Sequence, residues 1–363
     1  MSQLASLATK LSARYPWLSA PFIANAPMRV MAGPALAVAV SRAGGLGFIG
    51  PNIKTADTIA DLKEAAGLIE KSRASSTSKL LSLPSDYPNL PVGAGFLLWK
   101  DDIDTAMSAV KEYKPCAVWL YAPQNGQQDL DLWTEKIRAA SSQTQVWIQI
   151  GTVIEAKEII QSPTRPDVVV VQGSEAGGHG RATDGMGLIS LFPEVADVFG
   201  GHDIPLFATG GIADARGTAA ALCLGASGVV MGTRFLAATE ARIRKGYQDE
   251  VVRATDGAKS TTRTLLYNHL QGTYGWPEPF CPRTILNRTW DDHQAGVSFE
   301  ELQRRFQEET KKGDAGWGPE GRLPTYAGSA VGLIGEVQDA GAILGKIRQD
   351  TIARLTGFTF VNE

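Results

Sequence analysis

Residues 206–235 read LFATGGIADARGTAAALCLGASGVVMGTRF, and the fold is decided here. An apolar run, 206–211, ends on two glycines. An alanine-rich stretch, 213–224, has helical spacing, and a second apolar run, 228–233, ends on Gly232 and Thr233. Strand, helix and strand within about 30 residues make the repeating unit of a parallel sheet. Both runs are apolar at successive positions, as strands buried on both faces must be.

The same unit recurs on either side. Further apolar runs lie at 22–28 (FIANAPM), 46–50 (LGFIG), 90–98 (LPVGAGFLL), 117–122 (AVWLYA), 145–150 (QVWIQI) and 168–173 (VVVVQG), making eight in all. Helical stretches at 34–42, 55–72, 101–113, 128–140 and 152–161 separate them, several opened by Asp or Thr where an N-cap belongs. Eight strands with helices between them predict an α/β fold closed into a (β/α)8 TIM barrel. The count alone leaves an open doubly wound sheet as the lesser alternative, and the motifs below lower it further.

At 363 residues the chain exceeds the roughly 250 of a plain barrel. From about 240 to 325 the strand rhythm stops and the composition turns charged and aromatic, with loop-like WPEPFCPR at 276–283 and GDAGWGPEGRLP at 313–324. Residues 1–239 are therefore expected to form the barrel and 240–325 an inserted, mainly helical cap beside the substrate. Helical spacing returns over 326–349, so 326–363 is expected to rejoin the barrel as its final helix.

A net charge of −3 and the lack of any Lys/Arg cluster argue against a nucleic-acid partner. Cys116, Cys223 and Cys281 are odd in number and lack C-x-x-C spacing, so neither a disulfide framework nor a metal site is expected. No apolar run approaches the roughly 18 residues of a membrane span, and the N-terminal segment lacks a signal-peptide core. The first acidic residue is Asp57, and Lys10 and Arg14 lie in a Ser-rich start that faintly resembles a mitochondrial transit peptide. With a core strand beginning near Phe22, the expectation is a cytoplasmic protein, with a homodimer left open.

In a barrel the loops after the strands form the active face. The ends ATGGIAD (208–214) and MGTRF (231–235) place Gly210, Gly211, Gly232 and Thr233 after the last two strands, each ahead of a helix. Free N–H groups there make an anion site, and barrels commonly bind phosphate at these loops. Taken singly these glycines would read as tight turns; their joint occurrence favours phosphate. Strand six ends in QGSEAGGHG (172–180), where glycines flank His179, one of four histidines. Imidazole titrates near neutrality, and glycines let backbone approach a flat ligand, so His179 is the candidate for proton transfer. Pro27 and Met28, leaving strand one in NAPM, suit a ring contact or an ordinary turn equally. GGLGFIG (44–50) has G-x-G-x-x-G spacing but follows a helix and overlaps a strand, the reverse of a dinucleotide fingerprint. Gly44 and Gly45 read as a helix C-cap and turn.

With these residues in view the chain resembles the nitronate monooxygenase family, formerly the 2-nitropropane dioxygenases, and most resembles its fungal members. The segments that carry the likeness are ANAPM (24–28), GGLGFIG, QGSEAGGHG, ATGGIAD, GASGVVMGTRF (225–235) and YAGSAVGLI (326–334). The resemblance implies FMN, with Ala26, Pro27, Met28 and Gln149 near the flavin ring and Gly173, Gly177 and Gly178 in the loop facing it. It also implies phosphate contacts from Gly210, Gly211, Gly232 and Thr233, and His179 as the catalytic histidine. Many relatives carry Lys near the end of strand five where this chain has Gln149. The reaction implied is oxidation of alkyl nitronates, or nitroalkanes, by O2 to a carbonyl compound and nitrite. Ser329, Tyr274, Trp276 and Trp317 are candidates to wall the substrate. Two rivals remain at this point: an FMN-dependent NAD(P)H:quinone or enoyl-thioester reductase of the same fold, and a flavin-binding protein without turnover.

Overall fold

Runs of Val, Ile and Ala without polar alternation cannot lie at a surface, and here they close a barrel. The computed structural model describes residues 3–73, 78–84 and 86–357. In chain order the strands are β1 (Phe22–Asn25), β2 (Phe48–Ile49), β3 (Leu90–Leu97), β4 (Pro115–Tyr121), β5 (Gln145–Ile150) and β6 (Val168–Gln172). They continue with β7 (Gly178–Arg181), β8 (Leu206–Thr209), β9 (Gly228–Met231), β10 (Thr261–Arg263) and β11 (Phe280–Ile285). Eight of them form one parallel sheet in the order β1-β9-β8-β6-β5-β4-β3-β2. Ala24 of β1 bridges Leu46, just ahead of β2, so the sheet closes on itself.

The barrel interior is aromatic. Trp147 of β5 packs against Phe207 of β8 at 4.7 Å between ring centroids and against Phe48 of β2 at 5.2 Å. Its indole N–H donates to the Tyr15 hydroxyl at 2.9 Å. Tyr15 and Trp17 follow a helix, Gln3–Arg14, absent from the sequence reading, and are fully buried.

The helices between strands begin where polar caps sit. Asp102, Thr152 and Asp214 accept the N–H groups of Thr105, Glu155 and Arg216 at 2.8, 3.2 and 2.8 Å. A helix missed in the sequence, Leu188–Val198, lies between β7 and β8 and carries Pro193, which reads as a breaker. Gly47 explains the misleading glycine pattern: a Cβ there would lie 1.8 Å from the Ala37 carbonyl oxygen, so strand and helix meet with no room for a side chain.

One expectation needs correction. Residues 326–349 are not one helix; Ser329–Leu333 is a single 3-10 turn, and the helix runs Ala340–Thr356, opened by Asp339 accepting the Ala342 N–H at 2.8 Å. Ahead of it Tyr326 is held in a bridge to Thr284, which fixes extended backbone. The helix packs against Pro34–Arg42 and Ala215–Cys223, the place of the eighth barrel helix.

The region beyond 240 is mainly helical, with one addition that the sequence did not signal. It holds helices such as Lys245–Arg253 and Phe299–Thr310, but also β10 and β11. In a small sheet β11 pairs antiparallel with β10 on one side and with β7 on the other, which sets Pro282 opposite His179. The segment 276–283 thus runs into a strand that pairs with the one carrying the histidine.

Candidate active site

A cavity of about 320 Å³ opens at the C-terminal ends of the barrel strands, within the range of small-molecule sites, about 300–1,000 Å³. Ala26, Pro27 and Met28 line it after β1, Gln149 from β5, Gly177 from the loop entering β7, and Gly178 and His179 from the start of β7. Gly210, Gly211, Gly232 and Thr233 line it after β8 and β9, and Trp276 closes it from above.

At the far end the glycines form a cradle. Gly210 and Gly211 have φ of +98° and +72°, conformations that side chains disfavour, and a Cβ on Gly210 would lie 2.8 Å from the Gly173 carbonyl oxygen. The N–H groups of Gly211, Gly232 and Thr233 have no protein acceptor among the described residues. The Thr233 hydroxyl accepts from the Gly328 N–H at 2.9 Å and keeps its own hydrogen to donate. An anionic group with several oxygens fits such a cradle. One detail departs from the sequence reading. The helix after β8 starts only at Ala215, and its first N–H groups are taken by the Asp214 carboxylate, so the loop, not that helix end, presents the donors.

His179 sits at the near end. Its ring stacks on Trp276 with centroids 3.5 Å apart and planes 7° from parallel. Its carbonyl oxygen accepts from the Tyr121 hydroxyl. The imidazole keeps some area open to the cavity, but the atoms packed round it strip its water. Burial first, then the positive charges of Arg29 and Arg263, push its pKa down to about 3. The ring is therefore neutral at physiological pH.

Asn268, on the short cap helix Leu266–Leu270, meets His179 Nε2 at 2.7 Å with its amide group. Tyr326 Oη lies 3.1 Å from both Asn268 Oδ1 and Gln271 Oε1. One hydroxyl hydrogen cannot serve two oxygens, so one amide must present nitrogen to Tyr326. Turning Gln271 over leaves Asn268 donating to Nε2. Turning Asn268 over gives Nε2–H an acceptor and leaves the Nδ1 lone pair, which has no partner among the described residues, for a proton from the cavity. Base chemistry needs the second arrangement.

Not every candidate reaches the cavity. Gly173 lies beneath it, with its carbonyl against Gly210. Ser329 donates its N–H to the Glu175 carbonyl at 2.9 Å and so ties the returning chain to the histidine loop. Tyr274 is exposed and stacks on His269. Trp317 packs between two cap clusters beside Tyr247. Residues missed in the sequence take their place: Arg29, Tyr121, Gln172, Asn268, Gln271 and Tyr326. Arg29 and Tyr326 had a signal, since each adjoins or opens a motif already singled out. Asn268 had none, being one amide in an otherwise unremarked cap helix. Arg263 and Arg283, with guanidinium groups on the carbonyls of Ser174 and Ala176, or of Ser174 alone, brace the loop from below.

A closed barrel with its one-sided cavity at the strand C-termini defines an enzyme of the (β/α)8 class. Solved structures share this fold across nearly the whole chain. They include a nitroalkane oxidase from Streptomyces ansochromogenes (TM-score 0.71, 22% identity, 96% of this chain and 99% of that one). FabK from Thermotoga maritima is similar (TM-score 0.70, 24% identity, 96% and 99%). The nitronate monooxygenase family profile matches residues 97–274. In sequence the chain is 57% identical to the nitronate monooxygenase npaC of Metarhizium robertsii over 95% of each chain. It is 33% identical to a nitronate monooxygenase of Neurospora crassa over 96% of this chain and 93% of that one. The chain belongs to the nitronate monooxygenase family, a family of flavin-dependent oxidoreductases. No helix among the described residues is long and apolar enough to cross a membrane.

Proposed function

We propose that the chain holds FMN along this cavity and oxidises alkyl nitronates with O2 to a carbonyl compound and nitrite. The observation that carries the reading is the shared cavity: a cradle of unpaired N–H groups at one end and a neutral histidine at the other. Gly211, Gly232 and Thr233 would hold the phosphate. Ala26, Pro27, Met28, Gly177 and Gly178 would flank the ring, and the Gln149 side chain, which has no hydrogen-bond partner among the described residues, would face it. FMN supplies the redox chemistry when bound; the protein positions and tunes it.

The chain's own residues handle charge and protons. A nitronate arrives without its α-proton, so His179 need only stay neutral and in place. A nitroalkane arrives with the proton attached, and His179 Nδ1 would take it, with Asn268 fixing the ring by Nε2. Trp276 covers one face of the imidazole and keeps water from it. The cap segment 240–325 would thus complete the substrate chamber, with Tyr326 from the returning chain. The test is the flavin released on denaturing the purified protein. FMN, one per chain, is expected; FAD or no flavin would contradict the phosphate cradle.

A further inference from the structure

His179 is neutral, so the charge that receives an anionic substrate must come from elsewhere in the cavity. The geometry points to Arg29 as the substrate-binding residue that holds the two oxygens of a nitronate, an inference that rests on the function proposed above.

Arg29 lines the cavity directly after Met28 and is half-buried there. Its guanidinium makes one hydrogen bond among the described residues, a long one from Nε to the Asn52 carbonyl at 3.4 Å. The two terminal nitrogens have no protein acceptor among the described residues. Asp101 acts on it through space, but its two oxygens are engaged by the Leu97 N–H at 2.7 Å and the Thr55 hydroxyl at 2.8 Å. The other arginines near the histidine loop differ: Arg263 and Arg283 are turned onto backbone carbonyls, and Arg181 onto Glu155 and Asp184. Arg29 lines the same cavity as His179 and Tyr326, and its positive charge acts to lower the titration of both.

The backbone that aims Arg29 is held at a cost. Val30 has φ of +64°, left-handed backbone that a β-branched residue strongly disfavours. Three hydrogen bonds pin it: Val30 N–H to the Pro51 carbonyl at 2.8 Å, Arg242 Nε to the Val30 carbonyl at 2.7 Å, and Arg242 N–H to the Met31 carbonyl at 2.9 Å. Arg242 is itself clamped by Asp61, two nitrogens on two oxygens at 2.9 Å. Such strain persists where the surroundings over-determine it, typically at ligand clamps. Here it sends the chain sharply away after Arg29 and leaves that side chain in the cavity.

A nitronate carries its charge on a planar pair of oxygens, as a carboxylate does, and the terminal fork of a guanidinium matches such a pair. In the nitroalkane reaction the same fork faces the charge as it develops, while the proton moves to His179. Anion binding also offsets the positive field that holds His179 down, so Arg29 couples substrate charge to the base.

The test compares wild type with Arg29→Met and Arg29→Lys, each checked for FMN content. Butyrate serves as an unreactive planar anion, its dissociation constant read from the flavin absorbance change. Loss of a charge-assisted pair predicts butyrate affinity and nitronate KM worse by about 10- to 100-fold in Arg29→Met. A smaller loss is expected in Arg29→Lys, which keeps the charge without the fork. The KM of a neutral nitroalkane should move less than that of its nitronate. Unchanged butyrate affinity and nitronate KM in an FMN-loaded Arg29→Met, with nitrite still formed, overturns the assignment and leaves nitronate oxidation standing. Equal losses for both substrates with butyrate binding intact overturn it too. Arg29-dependent butyrate binding in a wild type that makes no nitrite upholds the anion site and defeats the nitronate reading.

Discussion

His179 lines the cavity with a ring that burial and two nearby arginines keep neutral. Its place among glycines at a strand end marked it as the group to watch, but not its charge. Neutrality comes from packing against Trp276 and from two arginines distant in sequence. His179→Asn should cost about 10²–10⁴-fold in kcat/KM for neutral nitroalkanes, as removal of a general base does, and clearly less for preformed nitronates. An equal loss with both, FMN retained, would leave it no role as a base. Acid brings a second consequence. The unfolded chain takes up the imidazole proton at about 6.5, whereas the folded protein resists it until about pH 3. Between these values the unfolded state binds more protons, so this contribution to stability is complete above about pH 6.5 and is lost as the pH falls toward 3. Urea midpoints should decline with acid over that window, and His179→Asn should flatten part of the decline; parallel curves would contradict the neutral buried ring.

At the scale of elements, the buried strands were legible because burial on both faces writes an unbroken apolar run. Their C-terminal ends were not. The runs 22–28, 206–211 and 228–233 each overran the strands, which stop at Asn25, Thr209 and Met231. The residues beyond are apolar, glycine or, at 233, threonine, and they face a cavity, which composition cannot distinguish from a sheet. β7 and β11 escaped notice because a strand of GHGR has no strand-like composition; it forms by pairing with a segment about 100 residues away. Gly210 tests the cradle as an element. Gly210→Ala should destabilise the protein by about 1–3 kcal/mol, the usual cost of forcing a side chain into such backbone, and purify with less flavin. Full flavin content and an unchanged urea midpoint would show that the loop does not hold the phosphate.

Over the whole molecule the barrel supplies the cradle, and the appendage supplies much of the cavity lining round His179. Asn268, Gln271 and Trp276 come from the cap, Tyr326 from the chain returning to the barrel, and Arg29 from a strained loop that Arg242 pins. The sequence located the first set through glycine motifs with a mechanical reason to be where they are. The second depends on tertiary contacts between distant segments, which no local pattern records. The same fold serves reductases as well as nitronate oxidation, so the decisive comparison is between electron donors. The flavin-loaded protein is mixed without oxygen with ethyl nitronate or with NADH, the flavin absorbance is followed, and O2 is then admitted and nitrite measured. The flavin is predicted to respond to the nitronate within turnover time and to give nitrite with O2, while NADH leaves its spectrum unchanged. Rapid bleaching by NADH, with the nitronate inert and no nitrite formed, would contradict the account.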